Sequence, residues 1–263
     1  YINSSHRIGK SKMDNLLYKN ISGRYVTQCG SDDILLPNAL EHMVELTNKI
    51  PKEKEDDYAG VLSIAIDENS VNQTFDSKIL QKSITTISFE ELKDNNLGDA
   101  TTLELYKHLK GKKFLEVDFL IHESSFFNKI FQNKNYIVSN KVTKVMDRTA
   151  KNSVSFGKKI QYCRGSAFSL SLTETKNSFN KKKFFSKIKT VLNYWRFTIH
   201  GEITFKDAKQ MFIPTKNSFF YTSLYLFAYF ISIRDHLFKE VNKTHREFNK
   251  NIKLSKIEIL NLN

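Results

Sequence analysis

Residues 23–41 read GRYVTQCGSDDILLPNALE and contain, in order, a strand-like segment, an acidic turn and the start of a helix. Residues 24–29 have strand composition, and the Gly30–Asp33 segment is a polar turn. Pro37 suits the first turn of a helix that extends to about residue 48, because its missing N–H costs nothing there. Proteins with α/β folds place ligands at the carboxyl ends of strands in this arrangement. The stretch therefore predicts an α/β fold with a ligand site at the acidic turn.

Asp32 and Asp33 place two adjacent carboxylates in this turn. Such a turn can hold a divalent cation, and the cation can neutralise a diphosphate leaving group. A phosphate-rich substrate needs this help because negative charge builds on the leaving oxygens as the bond breaks. The same spacing is also typical of a turn in which one aspartate caps the following helix. Spacing alone leaves both interpretations open.

Hydrophobic periodicity and composition predict further elements along the chain. Strands are predicted at residues 58–66 and 136–145, with a short strand or loop at 83–89. Helices are predicted at residues 11–21, 99–109, 122–132, 182–200, 205–212 and 217–250. The pattern indicates an α/β part followed by a mainly helical C-terminal part.

A wider pattern surrounds the acidic turn. Its positions are Gly9-Lys10-Ser11, Asn15, Gly23-Arg24-Tyr25, Ser31-Asp32-Asp33, Pro37 and Leu40-Glu41. In order and spacing this pattern resembles family 2 glycosyltransferases of the GT-A fold, a Rossmann-like fold for nucleotide-diphospho-sugars. The resemblance implies that residues 1–155 are the C-terminal portion of a GT-A catalytic domain, N-terminally truncated so that its first strands are missing. The chain departs from the family at Gly30, where the first acid of the turn usually sits, and at Arg24, which replaces a glutamate.

The resemblance assigns roles around the acidic turn. It makes Asp32 the ligand of a divalent cation, Mn²⁺ or Mg²⁺, and of the donor diphosphate, with Asp33 as a supporting ligand or cap. The donor-binding positions that it implies are Gly9, Lys10, Asn15, Ser31, Asp32 and Asp33.

A second block resembles the same family. It comprises Gly98-Asp99, Phe114-Leu115-Glu116, Ile121-His122-Glu123 and the segment 127–130. By this resemblance Glu123 is the catalytic base that activates the acceptor hydroxyl, with Asp118 and Glu116 as the next candidates. Asp99 and His122 lie on the acceptor side. A carboxylate within reach of the hydroxyl is what direct displacement requires. The structural alternatives are a glutamate that favours a helix dipole, an N-cap at Asp99 and a structural histidine.

The net charge of +13 is confined to one part of the chain. Residues 1–155 contain 21 Lys and Arg against 21 Asp and Glu, whereas residues 156–263 contain 20 against 7. Residues 156–263 are therefore predicted to form a basic, mainly helical region. Within residues 181–200, lysines accompany an apolar helical face made by Phe184, Ile188, Val191 and Trp195. This face suits either an anionic membrane surface or packing in the protein.

These observations predict an inverting, metal-dependent glycosyltransferase that uses a nucleotide-sugar donor. The acceptor expected from the family is a cell-surface glycan on a lipid carrier. The expected location is the cytoplasm or the inner face of the plasma membrane, with peripheral contact through the basic region. No nucleic-acid partner is expected, although a basic nucleic-acid-binding protein is one alternative, and a catalytically inactive GT-A-like binding protein is another. The apolar stretch 219–233 is short for a membrane span, which favours a buried or interfacial helix.

Overall fold

The computed structural model describes residues 10–67, 70–73, 82–94, 100–117, 119–147, 163–174, 176–216 and 218–237. Within this part, the chain divides into two compact units. Of the described residues, unit 1 comprises those within 13–113 and 127–147, and unit 2 those within 10–12, 114–126 and 163–237. The helices are α1 Lys10–Lys19, α2 Ala39–Thr47, α3 Phe89–Asp94, α4 Tyr106–Leu109, α5 Ser124–Phe131, α6 Cys163–Thr173, α7 Lys176–Lys181, α8 Phe184–His200, α9 Phe205–Met211 and α10 Phe219–Leu237.

Unit 1 contains a mixed β-sheet. Its strands are β1 Tyr25–Val26, β2 Asp33–Leu35, β3 Tyr58–Asp67, β4 Ser70–Gln73, β5 Ile84–Ser88, β6 Ala100–Leu105 and β7 Asn135–Met146. The central order is β1-β6-β3-β7-β2, with β4 paired to β3 and β5 paired to β7. The β3–β7 pair is parallel and the other pairs are antiparallel. The α/β class predicted from the sequence is confirmed.

The centre of the sheet follows from the apolar run in β3. Residues 59–65 of this strand are buried, because β6 and β7 flank it and α2 packs against it and against β7. Met43 and Leu46 of α2 join Val61 of β3 in the hydrophobic core of the unit. At Gly60 the neighbouring strand comes very close, since a Cβ there would lie 2.2 Å from the carbonyl oxygen of Leu103. The predicted strands 58–66 and 136–145 are confirmed.

Two sequence predictions in unit 1 are wrong. The predicted helix 99–109 is a strand, β6, followed by the short helix α4. Strand pairing explains the difference, because Ala100 to Glu104 form an antiparallel ladder with β3, and such pairing overrides a weak local helical pattern. Pro37 lies outside α2, which begins at Ala39 behind an N-cap at Asn38. Asparagine tolerates the left-handed backbone of that cap, where φ is 62°.

Unit 2 is helical and has an aromatic core. Helix α8 packs against α6 and α10, and its Tyr194 and Trp195 are completely buried. The Tyr194 ring stacks on Phe212 with centroids 4.3 Å apart. The predicted helices 182–200 and 205–212 are confirmed, and α10 confirms the predicted helix 217–250 as far as Leu237, the last residue of the described part.

A buried ion cluster joins α10 to α8. Asp235 is fully buried, accepts hydrogen bonds from both Nε and Nη2 of Arg196, and accepts one from Nε2 of His200 at 3.0 Å. Burial raises the pKa of Asp235, but the hydrogen bonds from Arg196 and His200 outweigh it and hold the pKa below its usual range. Burial also lowers the pKa of His200. The cluster fixes which side of α10 faces the core.

None of the helices in the described ranges combines the length and apolar character needed to cross a lipid bilayer.

Candidate functional site

The acidic turn lies between two strands of the sheet in unit 1. The strand before it is shorter than predicted, since β1 covers only Tyr25 and Val26. Ser31 and Asp32 are exposed in the turn, and Asp33 is the first residue of β2. The Asp33 N–H donates to the carbonyl oxygen of Gly30 at 3.2 Å, which closes the turn. Asp32 is thus presented to solvent between two strand ends.

Neither aspartate caps the following helix. Helix α2 begins at Ala39 and its N-cap is Asn38, whose side chain makes no capping hydrogen bond. The capping interpretation of the acidic pair is therefore wrong for α2.

One oxygen of each carboxylate lies close to Gly30. A Cβ at this position would lie 2.9 Å from Oδ1 of Asp32 and 3.2 Å from Oδ2 of Asp33. The first of these distances is closer than real Cβ atoms come to other heavy atoms. Glycine at the position where the family usually has an acid therefore leaves room for both carboxylate oxygens.

Lys144 distinguishes the two acids. Its Nζ lies 2.9 Å from Oδ2 of Asp33, and both side chains are largely buried. Lys144 belongs to β7, which pairs with β2 so that Leu35 lies opposite Lys144. The ion pair holds the Asp33 carboxylate in place, while Asp32 remains exposed. Asp32 is thus the acid better placed to meet a ligand from solvent.

The donor set at this turn suits a hard cation that is shared with a substrate. No group of three or more His, Cys, Asp or Glu side chains in the described ranges could hold a metal ion. Mg²⁺ commonly binds through one or two carboxylates together with substrate phosphates and water. Asp32, with Asp33 beside it, offers the one or two carboxylates that this mode of binding uses.

Lys10 and Glu123, which the resemblance assigns to the donor side and to the base, meet in unit 2. The Lys10 Nζ lies 2.8 Å from Oε1 of Glu123, and both side chains are partly exposed. Glu123 immediately precedes α5, and its carbonyl accepts from the Phe126 N–H at 2.9 Å. A carboxylate at this place can favour the helix dipole as well as accept a proton.

The remaining predicted site residues are placed as follows. His122 is exposed, its backbone N–H donates to the Ser169 hydroxyl, and its carbonyl accepts from the Ser125 hydroxyl. Asn15 is half-buried on α1. Gly9, Asp99 and Asp118 lie outside the described residues. Residue 100 begins strand β6, so no helix starts at that position.

The apolar face predicted on residues 181–200 is mostly used inside unit 2. Val191 and Trp195 are fully buried, and Ile188 packs against the same core. Phe184, at the start of α8, is exposed. Most of the apolar face of α8 therefore packs against the core of unit 2, as in the second of the two alternatives predicted for it.

No protein-family model matches the chain, and no curated protein matches it significantly.

Proposed function

We propose that this chain is a nucleotide-sugar-dependent glycosyltransferase of the GT-A type, and that the acidic turn at Asp32 binds the donor diphosphate through a divalent cation. One observation carries the proposal: an oxygen of Asp32 and an oxygen of Asp33 both lie close to Gly30 in the acidic turn. The sequence resemblance around this turn supplies the reaction class.

The two acids have different tasks in this proposal. Asp32 binds the cation, Mn²⁺ or Mg²⁺, from the solvent side. Asp33, fixed by Lys144 at 2.9 Å, supports it from the end of β2. When bound, the cation neutralises charge on the departing diphosphate. The sequence resemblance also assigns Ser31, next to Asp32, and Gly9, Lys10 and Asn15 to donor binding.

Glu123 is the proposed base of an inverting displacement. The acceptor hydroxyl oxygen bonds to the anomeric carbon, the bond from that carbon to the diphosphate breaks, and the hydroxyl proton passes to Glu123. The Nζ of Lys10 lies 2.8 Å from Oε1 of Glu123, and this ion pair orients the carboxylate. Asp118 is the alternative base, and Asp99 and His122 belong to the proposed acceptor side.

The acceptor proposed from the resemblance is a cell-surface glycan on a lipid carrier. We further propose that residues 1–155 carry the catalytic domain and that the basic region 156–263 contacts the inner face of the plasma membrane peripherally. The charge distribution supports this division, since the whole net charge of +13 lies in residues 156–263.

A second candidate is a catalytically inactive GT-A-like binding protein. The observation that favours it is the pairing of Lys144 with Asp33, because an internal cation already neutralises one of the two carboxylates. The two candidates differ in metal dependence: an enzyme releases nucleotide diphosphate only with a divalent cation, whereas a binding protein releases none.

The deciding experiment is a donor screen on the full chain. The protein is incubated with a panel of nucleotide-diphosphate sugars, with Mn²⁺, Mg²⁺ or a chelator, and nucleotide release is followed. Release that requires the metal and is lost in Asp32→Asn supports the enzyme. Binding of a nucleotide sugar without any release supports the second candidate.

A further inference from the structure

Helix α10 carries an apolar face that is exposed to solvent and is interrupted at Ser223. Phe219, Leu226, Phe230 and Leu237 recur at helical spacing and are 90%, 64%, 68% and 75% exposed. Phe227 and Ile233 are also exposed and widen the same face. Six large apolar side chains along one helix face form a patch of the kind that marks an interaction site.

The opposite side of α10 is firmly anchored. Leu224, Ala228, Ser232 and Asp235 are buried there. The Trp195 indole N–H donates to the Tyr221 carbonyl at 2.9 Å, and the ion cluster at Asp235 binds the far end. A rotation of the helix that hid the apolar face would break these contacts. The exposure is therefore a property of the packed unit.

Basic side chains flank both ends of this face. At its start, the Phe184 ring stacks on Phe220 with centroids 6.3 Å apart, and the exposed residues Lys181, Lys183 and Phe185 lie within three positions of Phe184 in the sequence. Near its end, Arg234 of α10 is exposed, although its Nη2 also lies 3.5 Å from Oδ1 of the buried Asp235. The one acid in α10 is Asp235, which is buried, and α8 contains no acid. An apolar stripe between cations is complementary to an anionic lipid surface.

We propose that the exposed face of α10 docks on an anionic membrane, with the helix lying in the plane of the lipid headgroups. The aromatic and aliphatic side chains enter the acyl boundary, and Lys181, Lys183 and Arg234 meet the lipid phosphates. The proposal assigns the membrane contact of region 156–263 to one face of one helix. It does not require that the protein be a glycosyltransferase.

A second copy of the chain would bind this face of α10 less favourably than an anionic membrane. Two copies pairing through α10 would bring the same cations towards each other, in a region that already carries the whole net charge of +13. Like charges brought together disfavour such pairing. Anionic lipid satisfies the apolar stripe and its basic flanks together.

The test uses the full chain and sedimentation with vesicles of phosphatidylcholine alone or mixed with phosphatidylglycerol. The wild type is expected to bind the mixed vesicles and to be released as salt rises, because surface cations are screened. Leu226→Gln with Phe230→Gln should weaken binding by at least about tenfold, through lost apolar insertion. Lys181→Gln with Lys183→Gln should weaken binding to the mixed vesicles and remove part of its salt dependence.

The matched control is Leu40→Gln with Val44→Gln. These residues are also exposed apolar side chains four positions apart on a helix, α2 in unit 1. The control should bind vesicles like the wild type, and circular dichroism should show that all variants are folded. Equal binding by the control pair and the α10 pair would overturn the proposal, as would no vesicle binding by the wild type. Sedimentation velocity showing that the α10 pair converts a wild-type dimer to a monomer would also overturn it in favour of a second copy.

Nucleotide release from a soluble donor separates this test from that of the proposed function. The α10 variants should retain wild-type release, because no residue of the acidic turn is altered. Loss of vesicle binding with unchanged release supports the docking face. If the wild type releases no nucleotide, that result contradicts the glycosyltransferase proposal but not the membrane-docking proposal.

Discussion

Removing the buried carboxylate of Asp235 should destabilise unit 2 severely. In Asp235→Leu, Arg196 loses a bidentate partner and His200 loses the acceptor of its Nε2 proton. The His200 side chain is fully buried, and its Nδ1 has no hydrogen-bond partner among the described residues, so the variant leaves neither ring nitrogen paired within that part of the chain.

The expected cost is about 3 kcal/mol of unfolding free energy. Breaking a buried ion pair by removing one partner costs roughly 3–5 kcal/mol. The Arg196 side chain keeps about a fifth of its surface exposed, so water can rehydrate part of the guanidinium, which favours the lower end of that range. The double variant Arg196→Met with Asp235→Leu should recover part of the loss, because it leaves no uncompensated arginine.

Urea unfolding followed by tryptophan fluorescence measures this cost directly. The chain has one tryptophan, Trp195, and it is buried in the core beside the cluster. The control is Glu202→Gln, an exposed acid in the same unit, which should change the unfolding free energy by less than about 0.5 kcal/mol. An Asp235→Leu variant as stable as this control would refute the reasoning.

Three further predictions concern the site and the pH dependence of stability. Gly30→Ala should reduce metal-dependent nucleotide release by about tenfold, because the new methyl group would lie 2.9 Å from an Asp32 oxygen and displace that carboxylate. Unchanged release would mean that the two carboxylates need not both lie close to residue 30. Glu123→Gln should abolish sugar transfer but leave donor binding by calorimetry unchanged, whereas retained transfer would move the base to another acid. Burial lowers the pKa of His200 in the folded protein. The contribution of the neutral His200 side chain to the unfolding free energy should therefore be complete above the unfolded-state pKa of about 6.5. It should be lost as the pH falls through the lower pKa of the folded state. Urea titrations between neutral and acidic pH should show this loss in the wild type and a smaller one in His200→Gln.

The sheet centre was predictable because its signal is local. The apolar run at 58–66 and the β-branched run at 136–145 are long enough to identify buried strands without knowledge of their partners. The segment 99–109 was not predictable in this way. Its strand character depends on pairing with β3, about 40 residues earlier in the chain.

The sequence predicts where the acidic turn lies in the chain, but it does not predict how the side chains of the turn are arranged. The sequence identifies Asp32 and Asp33, but the ion pair between Asp33 and Lys144 joins residues 111 positions apart, and no local pattern indicates it. The closeness of both carboxylates to Gly30 is likewise a product of the folded turn. For α10, the sequence predicts an apolar helix. Which of its side chains remain exposed follows only from how the helix packs in unit 2.

The most direct test of the acidic turn is nucleotide release by the full chain with a nucleotide-sugar panel, compared between wild type and Asp32→Asn at saturating Mn²⁺. We predict metal-dependent release in the wild type and a loss of at least about 100-fold in the variant, the scale of a removed electrostatic contact to the transition state. Folding of the variant should be unchanged, because Asp32 is an exposed turn residue. Near-wild-type release by Asp32→Asn would contradict the role of this turn, as would the absence of metal-dependent release with every donor.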